Sequence, residues 1–122
     1  MKRDWDIIRE VLIEVEALSF SERNNFEYKL SHKTLSANTS KDEHALLLWE
    51  GGFISGIDAS TMAGPRFITP KLTWEGHELL ETIRSQAVWE RIKSTAKSKG
   101  IELTMESVKL IGKSALAWVL AN

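Results

Sequence analysis

The glycine pair Gly51-Gly52 is the feature that most constrains this chain. It follows the run His44-Ala45-Leu46-Leu47-Leu48-Trp49-Glu50 and precedes Phe53-Ile54-Ser55-Gly56-Ile57. Glycine takes the left-handed conformation that ends helices at little steric cost, so a helix is predicted to stop here and a strand to begin at Phe53. Ser40-Lys41-Asp42-Glu43 predicts the start of that helix at Lys41. The Ser40 hydroxyl can accept from the amide three residues on, while Glu43 reaches back to the cap amide. After the stop, Asp58 to Pro65 is a small-residue turn and Arg66 to Leu72 a returning strand, together a β-hairpin. Pro70 has no N–H to give a ladder, which predicts that the returning strand lies at a sheet edge or breaks there.

The flanking segments are helical. Trp5, Ile8, Val11, Leu12, Val15 and Leu18 recur at three- and four-residue steps behind Asp4, a suitable N-cap. Ser19 to Thr39 loses that period, and the alternation of Phe26, Tyr28 and Leu30 with Glu27 and Lys29 predicts one short strand. Thr73 can cap a helix with Trp74, Leu79, Leu80 and Ile83 as its apolar positions, and Gly76 near its start implies close approach of another element. A further helix runs from about Gln86 to Lys97, with Val88, Trp89 and Ile92 inward, and closes at Gly100. Thr104 caps the last one, whose apolar stripe of Val108, Ile111, Ala115, Trp118 and Val119 is widened by Leu110, Leu116 and Leu120. Trp5, Trp49 and Trp74 are expected in the core.

Composition excludes several classes. With 122 residues the chain can bury one full core without staples, and with no Cys it has no disulfides, Cys-based metal sites or thiol nucleophile. No apolar run reaches the length of a membrane span, and Met1 to Asp6 opens an amphipathic helix instead of a signal core, so a cytoplasmic protein is expected. A net charge of −1 withholds the overall basic field of a dedicated nucleic-acid binder.

Helix, short strand, capped helix, hairpin and helix follow one another in the order of a winged-helix domain. The expected fold class is therefore α+β, one winged-helix-like domain over 1–122 with a β-hairpin wing: a core over 1–85 and a C-terminal helical extension over 86–122. Lys33 to Thr39 offers only one poor turn where a helix-turn-helix would place its first helix. The segments MKRDWDIIREVL, HALLLWEGGFI and LTWEGHELLETIRSQAVWERIK resemble a bacterial and prophage family called domain of unknown function 2513. Its members show a Met-Lys-Arg-Asp start, a His-x-x-Leu-Leu helix ending in Glu-Ala-Gly-Leu-Ile, and a Leu-Thr-Trp-Glu-Gly-His segment followed by Arg and Trp. Gly51 stands where that family has Ala, and Phe53 where it has Leu. The resemblance implies a winged-helix-like accessory or regulatory protein, often carried on mobile elements, with no catalytic residues to transfer.

Two functional classes compete. Protein binding or self-association would use the last helix, through Val108, Ile111, Ala115, Trp118 and Val119, with a second copy or a host or phage factor as partner. DNA binding is the alternative. It would use Arg66 and Lys71 on the hairpin and Arg91, Lys93, Lys97 and Lys99 on the penultimate helix. Arg91 to Lys113 holds six basic and two acidic residues. Against DNA, the helix in the recognition position carries Asp42, Glu43 and Glu50 against Lys41 alone. Catalysis lacks a constellation. His32, His44 and His77 have no metal-ligand spacing, and His44 and His77 are expected to cap or pack. No phosphate loop, nucleophile elbow or dinucleotide turn is present. No enzyme activity, cofactor, metal or small-molecule substrate is expected.

Overall fold

The computed structural model describes residues 1–33 and 38–121. Its helices are α1 (Trp5–Ala17), α2 (Phe20–Asn24), α3 (Ser40–Glu50), α4 (Trp74–Ile83), α5 (Gln86–Lys99) and α6 (Met105–Ala121), and its strands β1 (Glu27–Lys29), β2 (Ile54–Asp58) and β3 (Arg66–Leu72). The fold is mixed α+β with a three-stranded antiparallel sheet. Most of the Lys33 to Thr39 turn lies outside the described residues. The chain divides into two compact units, 1–77 and 78–122, within α4 instead of after it.

In the first unit α1 begins where its cap dictates. The Asp4 carboxylate accepts from the Asp6 and Ile7 amides at 2.9 and 3.4 Å. Trp5, Ile8, Val11, Leu12 and Val15 are buried, and α1 packs on α3. Where the periodicity fails, α2 forms from a local signal instead. The Ser19 hydroxyl accepts the Glu22 amide and Glu22 Oε1 the Ser19 amide, at 3.2 and 3.0 Å. That five-residue helix buries nothing, so no apolar pattern announces it.

Three placements differ from the sequence expectation. First, Thr39 and not Ser40 caps α3. Its hydroxyl accepts from the Asp42 amide at 3.1 Å and donates to the Asp42 carboxylate at 2.6 Å, which shifts the helix start by one residue. Second, β3 is the central strand and not an edge, in the order β1-β3-β2, while its ladder to β2 breaks at Pro70 as the other expectation had it. Pro70 is tolerated there because the register slips: Ser55 faces Lys71 and Ile57 faces Ile68, so Gly56 opposes both Thr69 and Pro70. This bulge needs no amide from Pro70, and it puts Thr69 at φ 52, a left-handed backbone rare for a β-branched residue. Third, Trp74 is 77% exposed. At 100° per residue it lies about 170° around α4 from the face formed by Gly76, Leu79, Leu80 and Ile83, which are buried.

Two polar devices hold the first unit together. His44, only 2% exposed, accepts the Asp4 amide on Nε2 at 2.8 Å and donates from Nδ1 to the Ser40 carbonyl at 2.6 Å, joining the starts of α1 and α3. The Glu14 carboxylate of α1 takes the Tyr28 hydroxyl of β1 and the Lys41 ammonium of α3, each at 2.5 Å. Beneath this network Tyr28 and Phe67 face each other across the β1/β3 pair, and Trp49 stacks on Phe67 at 4.8 Å.

The end of α3 and the start of α4 form one joint. Thr73 accepts the Gly76 amide on its hydroxyl at 3.1 Å and donates from it to the Gly52 carbonyl at 2.7 Å. The Thr73 amide donates to the Phe53 carbonyl at 3.1 Å. A Cβ on Gly76 would lie 2.0 Å from the Phe53 oxygen, so only glycine fits against that backbone.

His44→Phe should cost about 2 kcal/mol, because it takes the acceptor from the part-buried Asp4 amide and removes the side-chain link to the Ser40 carbonyl. Gly76→Ala should cost about 2 kcal/mol or more through backbone overlap, whereas Trp74→Ala should stay within about 0.5 kcal/mol. Urea unfolding midpoints with unchanged m values check all three. Stability should also fall in alkali. Burial, and then the Glu14 hydrogen bond, push the Tyr28 phenol above its ordinary 10.0, and Glu14 raises Lys41 above 10.5. Above pH 10.0 the unfolded chain therefore loses protons that the folded chain keeps, and unfolding becomes easier. Tyr28 is the single tyrosine, so Tyr28→Phe should flatten the decline of the midpoint between about pH 9 and about pH 11.

Candidate interaction surface

The second unit is built on α5 and α6, which pack together. Ser85 caps α5 by accepting the Val88 amide at 3.4 Å, and Gly100 ends it in the left-handed conformation at φ 66. At the start of α6, Thr104 and Ser107 cap one another. The Thr104 hydroxyl accepts the Ser107 amide at 3.1 Å and the Ser107 hydroxyl the Thr104 amide at 2.8 Å.

One narrow line of α6 points inward: Val108, Gly112 and Ala115 are buried. Val108 and Ala115, taken from the sequence as interface residues, are thus core residues of this unit. Their spacing of seven matches the packing stripe, and a stripe that packs is spent before a partner arrives. Ile111 and Val119 are half-buried, and Trp118 is 47% exposed with the Arg91 guanidinium 4.3 Å from its ring centre. The outward apolar residues are those that only widened the stripe in sequence: Leu110 at 63%, Leu116 at 49% and Leu120 at 78% exposure. Ile101, Thr104, Glu106, Ser107, Leu110 and Ile111 line a shallow, mainly apolar depression of about 260 Å³ at the start of the helix.

The six nucleic-acid candidates are divided between the units, Arg66 and Lys71 in the first and Arg91, Lys93, Lys97 and Lys99 in the second. Arg66 is paired with Glu27 at 2.8 Å, off the direction of a hydrogen bond, and Arg91 lies over Trp118. Lys93 pairs with Glu90 at 3.3 Å and sits 5.5 Å from the Trp89 ring. Lys71, Lys97 and Lys99 are exposed. At 100° per residue Arg91 and Lys93 lie about 160° apart around α5, on opposite flanks. Trp89 is buried at 1% and offers no stacking surface. On α3, Lys41 is held by Glu14 and by Glu10 at 3.4 Å, leaving Asp42, Glu43 and Glu50 on that helix without an opposing cation of its own. Met62, almost wholly exposed, stands at the hairpin tip between Thr61 and Gly64, where a wing that grips phosphates would carry a cation.

Charge is divided between the units. Residues 1–77 hold nine Lys or Arg against twelve Asp or Glu, and residues 78–122 hold seven against five. Among the described residues no three metal-ligating side chains gather, and no helix is long and apolar enough to cross a membrane. His44 is committed to the two bonds given above, and His32 and His77 are exposed.

Comparison with known proteins places this arrangement. The family model described as "Hypothetical protein (DUF2513)" matches residues 2–102. The chain belongs to that family. A relative from Haemophilus influenzae (strain ATCC 51907 / DSM 11121 / KW20 / Rd), described as an uncharacterized protein, is 36% identical over 121 residues, covering 99% of this chain and 100% of its own. The family match ends before α6, whereas the Haemophilus protein aligns through it. No solved structure matches the DUF2513 chain.

The buried line of α6 makes a sharp expectation. A Cβ at Gly112 would meet the Thr82 methyl at 2.7 Å, so Gly112→Ala should lower the thermal midpoint, by about 1 to 3 kcal/mol of stability. Adding Thr82→Ser, which removes that methyl, should restore most of it. Equal loss in both variants would show that the contact is not what limits this position.

Proposed function

We propose that this DUF2513 protein is a winged-helix-like binding module, an accessory or regulatory factor of the kind carried on mobile elements, that works through protein contacts made by α6. The topology supports the winged-helix reading: α3 leads into the β2–β3 hairpin, and β1 completes the sheet in the order β1-β3-β2. The observation that carries the function is the set Leu110, Leu116 and Leu120, all exposed on one helix whose packing face is already used. Exposed leucines are common singly, but three on one helix make an apolar surface of the kind that partners cover.

A second reading is DNA binding through the exposed Lys97 and Lys99, favoured by the excess of basic residues in the second unit.

Leu110→Ser with Leu120→Ser should leave the circular dichroism spectrum and thermal midpoint nearly unchanged and abolish cross-linking of the protein to its partner in cells. Retained cross-linking would remove α6 from the site. Anisotropy of a labelled random duplex should show no salt-sensitive binding. Binding that weakens steeply with salt and is lost in Lys97→Glu with Lys99→Glu would decide for the DNA reading.

A further inference from the structure

The outer face of α1 carries a strip that matches one flank of α6. Asp6, Glu10, Ile13 and Ala17 are all exposed, opposite the buried face of α1, and follow one another by four, three and four residues. Lys109, Lys113, Leu116 and Leu120 are also all exposed and follow one another by the same steps. Each set spans about 60° of its helix at 100° per residue, so each forms one continuous strip. Read from N- to C-terminus, one strip is acidic then apolar, and the other is basic then apolar.

We infer that α1 of one protomer pairs in parallel with α6 of a second copy of this chain, in the register Asp6 to Lys109, Glu10 to Lys113, Ile13 to Leu116 and Ala17 to Leu120. The inference rests on the protein-binding reading of α6 and names its partner. Alternating steps of three and four are those by which parallel helices keep one seam in contact over several turns. In this register every acidic residue meets a lysine and every apolar residue an apolar one. Sliding α6 by one turn puts the Glu10 carboxylate against Leu116 in one direction and the Lys113 ammonium against Ile13 in the other, and either costs desolvation without compensation. Ile13 on Leu116 and Ala17 on Leu120 supply the apolar contact, while the charged half fixes direction and register more than it adds affinity. Lys109 and Lys113 have no ion pair with any described residue, so they need not leave one to dock. Glu10 shares Lys41 with Glu14 at the longer distance, 3.4 Å, and its own side chain is 62% exposed. An anionic surface would also attract the α6 lysines, but it would leave the acidic and apolar strip of α1 unused. A second copy uses both strips.

Sedimentation velocity of the full chain over a wide concentration range tests this. The wild type should self-associate reversibly, either as a reciprocal dimer or as a longer series. Lys109→Glu with Lys113→Glu should weaken association at least about tenfold, and so should Asp6→Lys with Glu10→Lys. Mixing the two reversed proteins should restore it, because each acidic strip then meets a basic one on both sides. A second measurement guards against misfolding of the α1 variant. The chain has no cysteine, so Ile13→Cys mixed with Leu116→Cys should form a disulfide between protomers under mild oxidation, far faster than Ile13→Cys mixed with Ser114→Cys, an exposed position about 160° around α6 from Leu116. A wild type that stays monomeric, or reversed proteins that fail to complement while the cysteine pairs show no preference, overturns the inference. If the monomer still loses its cross-linked partner in the Leu110→Ser, Leu120→Ser variant, only the identity of the partner falls. If that cross-linking is unaffected as well, the protein-binding reading of α6 falls with it.

Discussion

The first unit depends on a neutral, buried histidine. His44 accepts the Asp4 amide on one ring nitrogen and donates to the Ser40 carbonyl from the other. Both bonds are available together only in the tautomer with its proton on Nδ1. The Asp4 amide belongs to the residue whose carboxylate caps α1, so the bond fixes where α1 begins relative to α3. The apolar faces of the two helices then meet in register, and Glu14 can reach both Tyr28 and Lys41. A histidine in a helix is commonly read as a prospective base or ligand. Here both ring nitrogens are already used by backbone groups, and its chemistry is structural.

From that anchor the chain makes a second joint, where Gly52 and Phe53 meet Thr73 and Gly76. Two segments that stand out in sequence, the glycine stop and the Thr-Trp-Glu-Gly start, are the two sides of one contact. Between them the hairpin carries a bulge at Thr69 and Pro70, which lets a proline occupy a central strand by removing the need for its amide. Thr69 still donates its amide to Phe26, so the β1 side of the strand remains bonded while the β2 side slips. The cost is a left-handed threonine, held in place because its neighbours on both sides are paired.

The surface divides by charge and by apolar exposure. The acids lie mainly on the first unit and the excess of cations on the second, and several of the cations best placed for phosphate in sequence are already engaged with Glu27, Trp118 or Glu90. What α6 presents instead is leucine beside lysine, and what α1 presents is aspartate and glutamate beside isoleucine and alanine. In the pairing proposed above, matched spacing would supply register and mixed chemistry direction.

Much of the fold was legible in the sequence because it is locally encoded. The Asp4 cap, the glycine stops, the hairpin, and the inward faces of α1 and α5 each follow from residues within a turn or two of one another. So did the close approach at Gly76. Alternatives that differ by one residue were decided elsewhere: Thr39 over Ser40 as a cap, and a central place for β3, depend on which partners the rest of the chain supplies. Trp74 read as core because tryptophan usually is, yet its phase on α4 turns it outward. On α6 nearly every third or fourth position is apolar, so periodicity alone could not separate Val108 and Ala115, which are buried, from Leu110, Leu116 and Leu120, which are not. The sequence by itself determined the helices, the hairpin and the places where they end, since these are set by short-range hydrogen bonding and backbone sterics. Only the tertiary structure decided which apolar and charged side chains were left exposed, because exposure is what remains after every long-range contact has been made.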